Sequence, residues 1–150
     1  MDKQIDVVLS SPYKRAVDTV VDFADKVGKE IILVDDFRER RVDGVWIEDF
    51  DSFSRKQWED FGYKLSDGEC LQEVQDRNIS ALNAVLSTYR GKNIVVGSHG
   101  TALSTIINYY DQSFGYSDFL MIRFLMPWIV GLTFDDQVCV NIRTHDLFAK

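Results

Sequence analysis

Cysteine, histidine, proline and net positive charge are all scarce in this 150-residue sequence. The two cysteines, Cys70 and Cys139, lie far apart. Two cysteines far apart in an acidic, cysteine-poor chain read as reduced, unlinked thiols and point to the cytoplasm. The two histidines, His99 and His145, form no ligand-spaced set with those cysteines, so neither a metal site nor another cofactor is expected. Lysine and arginine number 17 against 24 acidic residues, a net charge of −7. A phosphate backbone needs a basic face, so nucleic acid is not an expected partner. A small anion is not excluded, because it responds to the local field of a pocket. No run approaches the roughly 18 consecutive apolar residues of a membrane span, so no membrane partner is expected. The N-terminal Met1-Asp2-Lys3-Gln4-Ile5-Asp6 lacks the pattern of a signal peptide. No Gly-x-Ser-x-Gly elbow marks a serine hydrolase.

What is present fits one globular domain over residues 1–150, with 45% hydrophobic and 27% charged residues. A chain of this size buries roughly 68–70% of its unfolded surface without staples. Ile5 to Leu9 is a short apolar run ending at Ser10-Ser11-Pro12, the pattern of a buried parallel strand. Ser11 is placed to cap a helix with Pro12 at its first position. Ala16, Val20, Ala24 and Val27 recur at helical spacing, and Gly28 stops them. Ile31 to Val34 reads as a second strand. Asp35 to Leu65 is an excursion rich in charges and aromatics, expected to hold short helices and to cover a site. Leu71, Val74, Asn78, Leu82, Val85 and Tyr89 trace one helix face closed by Gly91. Asn93 to Gly97 is the next strand, followed by Ser98-His99-Gly100 and a helix from about Thr101. Ile129 to Phe134 and Val138 to Arg143 read as two strands joined by Asp135-Asp136-Gln137. The order predicts an α/β three-layer sandwich with a mostly parallel sheet.

In such sheets ligands gather outside the carboxyl ends of the strands. Arg15, in the first turn after the first strand, Glu39, just past the second, and His99, directly after the Ile-Val-Val strand, sit at such ends. An arginine binds an oxyanion through two N–H groups. The helix after His99 offers backbone N–H groups, and a glutamate can move a proton. Together they suit a phosphate monoester. Alternatives stand beside each: Arg15 as an exposed residue paired with an acid, Glu39 as part of a solvated charge run (Arg38-Glu39-Arg40-Arg41). His145 reads as a surface residue. Trp46 and Trp58 are candidates for substrate contact, against core packing beneath the loop.

These segments resemble the histidine phosphatase superfamily, which includes the cofactor-dependent phosphoglycerate mutases. Ser11-Pro12-Tyr13-Lys14-Arg15-Ala16-Val17-Asp18-Thr19 is similar to the family's Ser-Pro-x-x-Arg-Ala-x-x-Thr motif. Phe37-Arg38-Glu39-Arg40, with Gly44 and Trp46, resembles the segment of its acidic proton donor. Gly68-Glu69-Cys70, with Glu73 and Arg77, resembles its Gly-Glu-Ser segment, and Val95-Val96-Gly97-Ser98-His99-Gly100 its second-histidine motif. The resemblance implies a phosphoglycerate mutase-like fold and hydrolysis of a small phosphate monoester through a phosphohistidine. Carried over by motif position, Arg15 and His99 hold phosphate and Glu39 protonates the leaving group. A phosphatase is favoured over a mutase, whose chains resemble longer ones with shielding insertions.

The sequence departs from the family where the attacking histidine would stand. The family's Arg-His-Gly or Arg-His-Ala motif is absent, and Cys70 replaces the usual serine. The expectation is a domain short of its first strand–helix unit, about 25–35 residues by ordinary element lengths, and inactive or nearly so as it stands. Three readings follow: a phosphatase lacking its first segment, a non-catalytic phosphate- or partner-binding module, or a piece that does not fold well alone and covers its exposed sheet edge by homo-oligomerisation or strand exchange.

Overall fold

The computed structural model describes residues 4–41, 50–65, 67–122, 125 and 128–145. Strand β1 (Val7–Ser10) is followed by helix α1 (Lys14–Val27), strand β2 (Ile31–Leu33) and a 3-10 turn (Asp35–Phe37). Helices α2 (Phe50–Glu59) and α3 (Leu71–Thr88), strand β3 (Ile94–Gly97), and helices α4 (Gly100–Tyr110) and α5 (Tyr116–Ile122) come next. Strands β4 (Ile129–Asp135) and β5 (Val138–His145) end the chain.

β1, β2 and β3 form a parallel sheet in the order β2-β1-β3, with Val8 opposite Ile31 and Val95, and Leu9 opposite Ile32 and Val96. Side chains alternate across a strand, and this alternation builds the layers. Val8 packs with Ile5, Val20 and Ala24 beneath α1, joined by Ile31 and Val95. Leu9 turns the other way and packs with Phe37, Ile79, Leu82, Val85 and Ile106 beneath α3 and α4, joined by Val7, Ile94 and Val96. The result is the three-layer α/β sandwich. β1 pairs directly with both β2 and β3 and so lies at the centre of the described sheet.

α1 runs until Gly28, whose φ of 72° and whose N–H bonds to Ala24 and Asp25 close the helix. Ser11 was expected to cap it. Instead the N-cap position of α1 falls two residues later, on Tyr13, with no side-chain cap. α3 opens on Cys70, whose thiol accepts from the Glu73 N–H while the Glu73 carboxylate accepts from the Cys70 N–H. The capping box therefore survives the change from serine. The Lys64 ammonium and the Cys70 N–H hold the Glu73 carboxyl down at about 2.

β4 and β5 pair antiparallel, with a register shift at Thr133/Phe134 and Asp136 in the left-handed region at φ 57°. Among the described residues this hairpin is a sheet of its own rather than an extension of the parallel one. Leu132 and Phe134 pack against the α3–α4 core, and Gln137 Nε2 donates to Ser87 Oγ at 3.0 Å. No described helix is long and apolar enough to cross a membrane.

Candidate functional site

α1 lies on one face of the sheet and α4 on the other, yet they follow neighbouring strands, β1 and β3. The chain therefore parts to opposite faces between the carboxyl ends of these strands, and such a switch point opens a crevice. The ends are drawn tightly together. The Ser11 N–H donates to the Gly97 carbonyl at 2.9 Å. A Cβ on Gly97 would lie 2.9 Å from Ser10 Oγ, 3.0 Å from the Ala16 carbonyl oxygen and 3.1 Å from Val20 Cγ1, so only glycine allows this approach.

His99 leaves β3 in extended conformation and forms the N-cap position of α4. Its Nε2 lies 2.8 Å from Oγ of the fully buried Ser11, which also accepts from the Tyr13 N–H at 3.2 Å. The Tyr13 ring meets the imidazole edge-on, centroids 5.4 Å apart. Burial lowers the affinity of His99 for a proton, and the Arg15 charge lowers it further, against the pull of Glu39. Arg15 is exposed at the start of α1, and its guanidinium binds no carboxylate among the described residues.

Glu39 does not stand in a solvated charge run. Its Oε1 accepts from the Ala102 N–H at 2.9 Å and the Arg40 N–H at 2.8 Å, and its Oε2 from the Thr101 N–H at 3.1 Å. Negative charge is favoured at a helix N-terminus. Those N–H groups of α4 were expected to be open to phosphate; here the protein's own carboxylate takes two of them. Arg40, next in the chain, turns away and is buried, its Nη1 donating to the buried Gln57 at 2.6 Å.

The structure thus brings Arg15 and Glu39 close to His99 at the carboxyl ends of β1 and β3, with Ser11 and Tyr13 beside them. It does not bring Trp58 there. That side chain is buried against Leu71 and Phe119, its ring 5.5 Å from Phe61, 6.0 Å from Phe114 and 5.7 Å from Phe119, so packing accounts for it. Trp46 and Gly44 lie outside the described residues. Ser11 was missed as a site residue because Ser-Pro before a helix carries the same signal as a cap. Among the described residues no group of three His, Cys, Asp or Glu is placed to hold a metal ion.

Fold and site together define a three-layer α/β domain with histidine, arginine and carboxylate gathered at the switch point of a parallel sheet. Comparison with known proteins gives the family. The chain belongs to the histidine phosphatase superfamily, branch 1, whose model matches residues 1–142. It is 30% identical over 115 residues to phosphoglycerate mutase-like protein 4 of Arabidopsis thaliana, covering 70% of this chain and 50% of the relative. It is 29% identical over 105 residues to the uncharacterized phosphatase PhoE of Bacillus subtilis strain 168, covering 68% and 51%. The chain therefore spans about half the length of the curated relatives it matches. Among solved structures, a proposed alpha-ribazole-5'-P phosphatase from Escherichia coli K-12 aligns with a TM-score of 0.71 at 18% identity, over 95% of this chain and 73% of that one. A mycobacterial glucosyl-3-phosphoglycerate phosphatase in complex with inorganic phosphate aligns with a TM-score of 0.60 at 18% identity, over 73% and 60%.

Proposed function

We propose that this chain carries the phosphate-holding part of a histidine phosphatase site that acts on a small phosphate monoester. One observation carries the reading: His99 Nε2 lies 2.8 Å from Ser11 Oγ at the joined ends of β1 and β3, beside an arginine that binds no carboxylate among the described residues. Arg15 offers a planar fork of donors and His99 a further N–H once protonated, both suited to phosphoryl oxygens. Two similar proteins support the substrate class, the B. subtilis phosphatase by its name and the mycobacterial phosphatase by its bound phosphate. Neither identifies the organic part of the substrate.

In the intact reaction a histidine attacks phosphorus, the P–O bond to the leaving group breaks, and Glu39 passes a proton to the departing oxygen. Water then releases phosphate from the phosphohistidine. Splitting the reaction in this way requires an imidazole nucleophile besides the His99 that grips the oxygens. The only other histidine of the sequence is His145, paired opposite Ile129 on the hairpin. The 150-residue chain is therefore read as a binder that does not turn substrate over by itself.

Calorimetric titration with inorganic phosphate is expected to show one site per chain, and an aryl phosphate assay no turnover above buffer. A folded chain that takes up no phosphate contradicts the binding half of the proposal. Turnover that disappears in His99→Ala contradicts the other half.

A further inference from the structure

The segment carrying Glu39 is tied down by side chains that the phosphoryl chemistry does not use. Arg77, on α3, makes four hydrogen bonds. Its Nε donates to Glu69 Oε2 at 3.1 Å and its Nη2 to Glu69 Oε1 at 2.8 Å. Its Nη1 donates to the Asp36 carbonyl at 2.8 Å and to the Arg38 carbonyl at 2.9 Å. Glu69 completes the tie from its own side: its Oε1 accepts from the Arg41 N–H at 2.9 Å, and its N–H donates to the Arg41 carbonyl at 2.6 Å. The backbone is thus fastened at Asp36 and Arg38 before Glu39 and at Arg41 after it.

Its environment sets this pair apart from the other ion pairs among the described residues. The Arg77 and Glu69 side chains are 10% and 17% exposed, whereas Lys64–Glu73 and Arg90–Asp136 are open to solvent. Exposed pairs contribute little. A desolvated pair persists only when its remaining donors and acceptors are met, and here two backbone carbonyls and a backbone N–H meet them. On the far side of the segment, Gln57 receives Arg40 and is itself fixed by donating to the Tyr63 and Glu69 carbonyls at 3.1 and 2.9 Å. With its neighbours held on both sides, Glu39 is left facing the first turn of α4.

We propose that Arg77 and Glu69 are positioning residues that hold the Glu39 carboxylate on the Thr101 and Ala102 N–H groups, next to His99. The inference rests on the site reading above, but its test needs no phosphate. The groups around His99 are Glu39 from the loop, Arg15 and Tyr13 from the start of α1, and Ser11 from β1. Of these, Glu39 alone favours the imidazolium. Releasing Glu39 leaves burial and Arg15 unopposed, so the proton affinity of His99 must fall.

With two histidines in the chain, the His99 imidazole can be followed through pH by NMR in phosphate-free buffer. The series is the unaltered chain, Glu39→Gln, Arg77→Gln and the double variant. Arg77→Gln is expected to lower the His99 midpoint in the same direction as Glu39→Gln and to a comparable extent. In the Glu39→Gln background it is expected to add nothing, since non-additivity marks residues acting through one another. An unchanged midpoint in Arg77→Gln, or an equal drop in both backgrounds, overturns the proposal. Glu69→Gln, which keeps an oxygen for the Arg41 N–H, covers the case in which Arg77→Gln does not fold, and a downward shift is again expected. Unfolding of both variants would make the pair a general staple and also overturn it. Failure of the chain to bind phosphate would leave this cycle untouched, so the two ideas fail separately.

Discussion

Arg15→Ala and His99→Ala should each weaken phosphate binding by roughly 10- to 100-fold, because a hydrogen bond to a charged group is worth about 1.5–3 kcal/mol. The two losses should differ in character. Arg15 is exposed and binds no carboxylate among the described residues, so removing it leaves the fold untouched and acts on affinity alone. His99 is half-buried and bonded to buried Ser11, so His99→Ala also strands a hydroxyl and should cost some stability. Arg15→Lys keeps the charge without the fork and should fall between the unaltered chain and Arg15→Ala. Calorimetry with inorganic phosphate reads all three. Equal affinity in Arg15→Ala would remove the arginine from the site.

Phe37→Ala should be the most destabilising single change at the site's foundation, at about 3–5 kcal/mol for a buried aromatic. Phe37 is 1% exposed and packs on Leu9, Ile79 and Leu82, where β1 meets α3. It is also two residues from Glu39, at the root of the segment that Arg77 fastens. Unfolding in denaturant should show the loss as a lower midpoint with an unchanged slope. Phe37→Leu, which leaves a smaller void, should lose less. A surface-like loss of a few tenths of a kcal/mol would mean that this core does not carry the loop.

Much of this was readable from residue order. The apolar runs ending at Ser10 and Gly97 gave β1 and β3, and the apolar spacing up to Gly28 gave α1. The face from Leu71 to Val85 gave α3, and the four motifs gave the family. What could not be read depended on partners distant in sequence. Whether Ser11 caps a helix or meets His99 is decided by the pairing of β1 with β3, which no local pattern encodes. The run from Arg38 to Arg41 looks like a solvated loop by charge alone. Its residues are sorted one by one by Gln57, Glu69, Arg77 and the start of α4, 17 to 63 residues further along the chain. The α4 N–H groups looked free for phosphate because nothing in the sequence shows Glu39 arriving there. Trp58 looked like a contact residue because an aromatic excursion reads alike whether it lines a crevice or fills a core. The helix α5 is seven residues long and aromatic, too short to show a period.

The central claim is that His99 and Arg15 form a phosphate site. Its most direct test is the pH titration of the His99 imidazole by NMR, without and with saturating inorganic phosphate. Without phosphate the midpoint should lie below the ordinary histidine value of 6.5, because burial and Arg15 disfavour the imidazolium. A bound phosphate favours the charged ring, so the midpoint should rise, and by reciprocity phosphate should bind more tightly as pH falls toward it. A His99 midpoint that stays the same under saturating phosphate would contradict the account.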